Sequence, residues 1–203
     1  MEGRIFVISG PSGAGKTSII EALKGRVKGL GYSISHTSRT PRRTEQNGVD
    51  YHFVTRESFL SMIEAKAFVE WAEVYGNFYG TSFSNLNEQI SKGLDVLLDI
   101  DSQGADNIRR KFASSILVYV LPPSLEKLEK RLSKRDTDDE STIMRRMETA
   151  VREINNCKWY DYIIINEDLE SAIEEFKTIM LSDRCRTNRN EHRIKEIFGI
   201  PFP

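Results

Sequence analysis

Cysteine is nearly missing from this 203-residue sequence. Cys157 and Cys185 are the only two, and neither sits in a spacing that ligates metal. They read as free thiols in a reducing compartment rather than as a disulfide or a thiolate centre. Excess charge of either sign is missing too: 29 Lys and Arg against 30 Asp and Glu leave a formal net charge of −1. Nothing global therefore calls for nucleic acid or an anionic membrane surface. No apolar run approaches the roughly 20 residues that span a bilayer. Met1-Glu2-Gly3 runs straight into a strand pattern with no basic leader before it. These absences point to a cytoplasmic protein in which any chemistry on a polyanion comes from arginines gathered locally. The length suits one compact domain with smaller excursions.

What is present is an alternation of short apolar runs and helical patterns. Arg4–Ser9, Leu94–Leu98, Ile116–Leu121 and Tyr162–Ile165 read as buried strands. Ser18–Lys28 carries Ile19, Ile20, Leu23 and Val27 at helical spacing. So do Leu125, Leu128 and Leu132, then Ile143 to Ile154, then Leu169 to Met180. Strands alternating with helices predict an α/β fold, a parallel sheet covered on both faces. Residues 32–84 break the rhythm and read as a β-rich insertion. The charge-dense stretch around 125–156 reads either as a solvated face or as a lid above a ligand site. The basic stretch from Asp183 shows no long apolar face and is expected to pack loosely or extend.

Between the first strand and helix stands Gly10, Pro11, Ser12, Gly13, Ala14, Gly15, Lys16 and Thr17, a complete G-x-x-x-x-G-K-[ST] match. Glycines let backbone N–H groups and the helix N-terminus converge on a phosphate, Lys16 reaches the β- and γ-phosphates, and the Thr17 hydroxyl suits Mg²⁺. Asp99 and Asp101 follow the Leu94 strand at the sheet's carboxyl edge. There a carboxylate organises Mg²⁺ or simply caps the next helix. Ser35–Arg43 packs three arginines among hydroxyls, the composition that binds a second phosphate through guanidinium forks. Tyr51 and Tyr79 can add phenolic hydrogen bonds. Arg131 and Arg135 share a helix face, and with Arg145 and Arg146 they flank the lid, placed to neutralise a transferring phosphoryl group or merely to solvate it.

Taken in order, Gly10–Thr17, Ser35-His-Thr-Ser-Arg39-Thr-Pro-Arg42, Gly48–Phe53, Glu70-Trp-Ala72, Gly76–Thr81 and Leu98–Gly104 resemble guanylate kinase over residues 3–182. The resemblance implies a P-loop core (1–33, 85–124 and 157–182), a GMP-binding domain (34–84), a helical lid (125–156) and an extension of no assigned role (183–203). It implies that ATP is held by Gly10 through Ser18 with Arg131, Arg135 and, near adenine, Asn166. It implies that Arg39, Arg42, Tyr51 and Tyr79 hold the GMP phosphate and that Ser35, Glu70, Thr81 and Asp101 read guanine. Lys16, Arg39, Arg135 and Arg146 become the catalytic cations, and Thr17 and Asp99 the Mg²⁺ site. The implied partners are ATP and GMP, with dGMP open as a further acceptor and the oligomeric state unspecified. A different outcome for such folds is a scaffold module that binds phosphopeptides, but those tend to have a degraded phosphate loop.

Overall fold

The computed structural model describes residues 3–42, 44–74, 76–133 and 140–200. Arg43 and Arg135 lie outside the described residues. β1 (Ile5–Ser9) is buried at every position, as a central strand must be when both faces are covered. It leads through the glycine loop into α1 (Lys16–Arg26) and on to β2 (Leu30–Tyr32), a strand too short to register as an apolar run. β3 (His36–Thr37), β4 (His52–Phe53), α2 (Arg56–Glu64), β5 (Phe68–Val74) and β6 (Asn77–Ser82) form the β-rich excursion. α3 (Phe83–Ser91), β7 (Asp95–Asp99), α4 (Ser102–Lys111) and β8 (Ile116–Leu121) return to the main rhythm. α5 (Leu125–Ser133), α6 (Glu140–Ile154), β9 (Tyr162–Ile165), α7 (Leu169–Arg184) and α8 (Thr187–Phe198) complete the chain.

The strands sort into two sheets. The larger runs β2-β7-β1-β8-β9, all parallel, and the smaller β4-β3-β6-β5. Alternation along β1 sends Phe6 and Ile8 into a core with α1 and α7, around Ile19, Leu23, Phe176 and Met180. Ile5 and Val7 face the opposite core with α3 and α4, around Leu86 and Ile108. The register Ile8↔Asp99 sets the end of β7 beside the start of the glycine loop. The smaller sheet packs on its own cluster, in which Phe59 stacks on Phe68 at 4.4 Å and on Phe78 at 5.3 Å.

The basic tail does not extend. It forms α8, and Arg189 drives its side chain into the body of the protein, 5% exposed. Arg189 donates to Asp95 at 2.8 Å and to Asp183 at 3.0 Å, while Arg184 reaches Asp95 at 2.7 Å and Arg4 reaches Asp183 at 3.1 Å. An ion cluster, not an apolar stripe, holds this helix. Hydrophobic periodicity has no means of registering it.

Candidate active site

The glycine loop leaves β1 and turns back into α1. Gly10 has φ 144° and lies so near β8 that a Cβ would fall 2.2 Å from the Val120 carbonyl oxygen. Gly15 has φ 101° and caps α1 with no side-chain hydrogen bond, and no acidic residue sits in the helix's first turn. The leading N–H groups of α1 are therefore left to an anion. In this ligand-free chain Lys16 Nζ donates to the Gly10 carbonyl at 2.6 Å, folded over its own loop.

Behind the loop stand two residues expected near the nucleotide. The buried Asn166 donates from Nδ2 to the Ala14 carbonyl at 2.8 Å. Arg131 donates to the same carbonyl at 3.3 Å and to the Asn166 carbonyl at 3.0 Å. Both brace the loop's back rather than line the cleft. Leu128 and Leu132 of α5 press on Gly13 from the same side.

In front of the loop opens a cavity of about 370 Å³. It is lined by Gly10, Ser12, Gly13, Gly15, Lys16, Thr17 and Ser18 of the loop and α1, by Ser35, Arg42, Tyr51, Glu70 and Tyr79 of the β-rich excursion and its approach, by Asp99 and Asp101 after β7, and by Arg146 of α6. Of the expected residues, Arg39 borders an adjoining groove with Arg42, Tyr51 and Tyr79. Pro11 and Ala14 lie within the loop itself, and Ala14 is fully buried. Asp99 is half-buried at the end of β7. That burial pushes its carboxyl above the ordinary range while Lys16 and Lys24 oppose the shift. Burial likewise pushes the Tyr51 phenol up to about 12, with Asp99 adding to it, so it stays a hydrogen-bond donor at neutral pH.

The corner furthest from the loop is built by strand register. Glu70 on β5 faces Thr81 on β6, a cross-strand pair, and both are buried. Asp101 caps α4, its Oδ1 accepting the Gly104 N–H at 2.8 Å, so the capping role weighed from the sequence is realised there. A Cβ on Gly104 would lie 2.5 Å from Glu70 Oε2, so only glycine admits the carboxylate. Thr81 Oγ1 lies beside the Glu70 carboxylate but outside hydrogen-bond geometry, and no other described residue partners it. Burial raises Glu70 from 4.5 to about 7; Thr81 opposes this, Asp101 adds to it and Lys111 opposes. A buried carboxylate and a buried unpaired hydroxyl together await a ligand that brings donors.

Three of the polar residues that line this region without having been read from the sequence bear on the site's geometry. Thr149 and Glu153 line the cavity from the same face of α6 as Arg146, at positions i+3 and i+7. Helical spacing could have found them. Tyr119 of β8 donates to the Glu153 carbonyl at 2.7 Å and pins that end of α6. The third, Glu45, carries no periodic signal at all.

A guanylate kinase family model matches residues 2–183. The guanylate kinase of Syntrophotalea carbinolica is 48% identical over 198 residues, covering 98% of this chain and 94% of that protein. That of Geobacter sulfurreducens is 44% identical over 199 residues, covering 98% of each. Matches of this length take in α8, so the likeness continues past the residue-182 limit read from motifs. Among solved structures, guanylate kinase from Anaplasma phagocytophilum superposes with a TM-score of 0.79 at 32% identity, covering 98% of this chain and 97% of that one. Agreement between sequence and fold over the whole length, α8 included, shows that the chain belongs to the guanylate kinase family.

Proposed function

We propose that this protein transfers the γ-phosphoryl group of ATP to the phosphate of GMP, giving ADP and GDP. The observation that carries the reading is the shared cavity, which the phosphate loop lines together with Glu70, Arg42 and Tyr79. Gly10 to Ser18 cradle the β- and γ-phosphates, and Lys16 exchanges the Gly10 carbonyl for phosphate oxygen. Arg39, Arg42, Tyr51 and Tyr79 hold the GMP phosphate. Guanine presents N1–H and an amino group to Glu70, while Ser35, Thr81 and Asp101 complete its edge. Adenine has no matching pair of donors and would leave the carboxylate unpaired, which supports discrimination on the order of 10⁴.

The chemistry asks little of the protein beyond placement and charge. An ionised oxygen of the GMP phosphate attacks the γ-phosphorus in line, the bond to the β-bridging oxygen breaks, and ADP departs with that electron pair. No proton is removed from the nucleophile, so no general base is needed. Arg146 on α6, and Arg135 beside the undescribed lid centre, offset the charge that spreads over the moving group. Among the described residues no group of three or more His, Cys, Asp or Glu can hold a metal on its own. The Thr17 hydroxyl and a single carboxylate, Asp99, instead fit Mg²⁺ carried in by phosphate oxygens and retaining water. Bound there, Mg²⁺ supplies charge neutralisation at the β- and γ-phosphates. Arg131 and Asn166 act on ATP through the loop they brace. Closure of the smaller sheet and α6 over the cleft would exclude water and suppress ATP hydrolysis.

No helix among the described residues is long and apolar enough to cross a membrane. A cytoplasmic location agrees with the free thiols of Cys157 and Cys185. The decisive experiment is a coupled assay of ADP release with Mg·ATP and, in parallel, GMP, dGMP, AMP, UMP and CMP. Turnover is expected with the guanine nucleotides only. Absence of turnover with GMP, together with binding of a phosphopeptide, would transfer the protein to the scaffold-module reading.

A further inference from the structure

The loop between β3 and β4 holds a carboxylate that the reaction above does not use. Glu45 is 15% exposed at its side chain, as is Arg39. Both Glu45 oxygens accept from Arg39 Nη2, at 2.8 and 3.0 Å. Oε2 also accepts the backbone N–H of Arg42 at 2.7 Å, and the Glu45 N–H donates back to the Arg42 carbonyl at 3.0 Å. The other guanidinium nitrogen of Arg39, Nη1, donates to the Thr40 carbonyl at 2.8 Å. The rings of Tyr51 and Phe53 flank the same guanidinium, their centroids 5.6 and 5.8 Å away. Burial disfavours ionisation of Glu45, but the bonds from Arg39 and Arg42 outweigh it and hold the carboxyl below its ordinary value.

We infer that Glu45 is a positioning residue for the acceptor phosphate, setting Arg39 and Arg42 in register before GMP arrives. The inference rests on the reading of this cleft as the GMP site. An arginine on a loop samples many rotamers, and ordering it at the moment of binding weakens affinity. Glu45 does that ordering in advance. The rival role, competition with phosphate for Arg39, fits the geometry poorly for two reasons. Glu45 takes both its bonds from one nitrogen, which keeps Nε clear of the carboxylate. It is also anchored by the Arg42 N–H whether or not Arg39 lets go. A carboxylate fixed to the backbone holds the arginine; the arginine does not hold it.

Glu45→Gln keeps the size of the side chain and removes its charge. The experiment measures dissociation constants for GMP and for guanosine, KM for GMP and for ATP, and the thermal midpoint. Losing a charge-assisted hydrogen bond corresponds to a roughly ten- to hundredfold effect. GMP is expected to bind about that much more weakly, while guanosine, which lacks the phosphate, and the KM for ATP change less than about twofold. Unchanged or tighter GMP binding would overturn the inference, the latter in favour of competition. Parallel loss of GMP and guanosine would also overturn it, by reducing Glu45 to a prop of the fold. Should the glutamine variant fail to fold, Glu45→Asp, with its shorter reach, answers the same GMP-to-guanosine comparison. If the unaltered protein does not phosphorylate GMP, the parent reading falls by itself, and that result is separate from any variant.

Discussion

Glu70 shows how far one side chain's environment decides the behaviour of the site. Its carboxyl, raised to about 7 by burial, is close to half protonated at neutral pH when no ligand is present. In the proposed role guanine binds the charged form, so the affinity for GMP is expected to fall as pH drops below about 7. The groups facing it are Thr81, Asp101 and Lys111, of which the Asp101 charge adds to the rise of Glu70 and the other two oppose it. The effect on stability has a definite sign. With the folded value above the ordinary 4.5, the contribution is full below pH 4.5 and is lost as pH rises through about 7. Glu70→Gln is therefore expected to raise the stability of the ligand-free protein at pH 8 by on the order of 2 kcal/mol, with no gain near pH 4.5. The same variant should lose most of its preference for GMP over AMP. Denaturant melts at the two pH values and paired turnover measurements check both halves, and an unchanged base preference would refute the role given to Glu70. None of this environment is readable from residue order alone. Glu70 and Thr81 face each other because the β5–β6 register shifts by one residue between Phe68 and Glu70, and their role entered the sequence reading only through the family resemblance. Glu45 lies in a loop without period, and nothing but geometry connects it to Arg39.

Among the elements, the legible ones were those held by apolar burial. β8 was read with its observed limits, and β1 and β7 to within a residue, because central parallel strands are continuous apolar runs. β9 also has the limits read, but as the edge strand it buries only Ile164 and is not the buried strand expected. β2, α3 and α8 escaped. β2 is three residues long and contains Gly31. α8 is held by charges whose partners lie far away in sequence, Asp95 being 94 residues from Arg189. Removing Arg189 would leave buried Asp95 to Arg184 and buried Asp183 to Arg4, each carboxylate short of one charge-assisted hydrogen bond. Arg189→Met is expected to lower stability by about 2–3 kcal/mol, measured by chemical denaturation. Turnover well below the melting range should stay within about twofold, since such a surface lies far from the cleft. A loss under about 1 kcal/mol would mean that α8 is an appendage and not part of the core.

The molecule as a whole is two sheets meeting over one cleft, and its stability is unevenly spread between them. The larger sheet carries apolar layers on both faces, while the smaller rests on the aromatic cluster of Phe59, Phe68 and Phe78. Although Val69 of β5 joins the larger sheet's core, that difference is expected to leave the proposed acceptor side at the less stable end of the protein. At the boundary, the first turn of α4 does two things at once. Its N–H groups are satisfied by Asp101, and the bare Cα of Gly104 makes room for the Glu70 carboxylate. When that turn frays, the base-reading corner frays with it, while the phosphate loop on β1 and α1 stays formed. Warming should then raise the ratio of AMP to GMP turnover before the global melt begins, and a ratio constant up to the midpoint would count against the coupling. Fidelity for guanine is then expected to behave as a local folding equilibrium with its own melting point, so that accuracy is lost on heating before activity is.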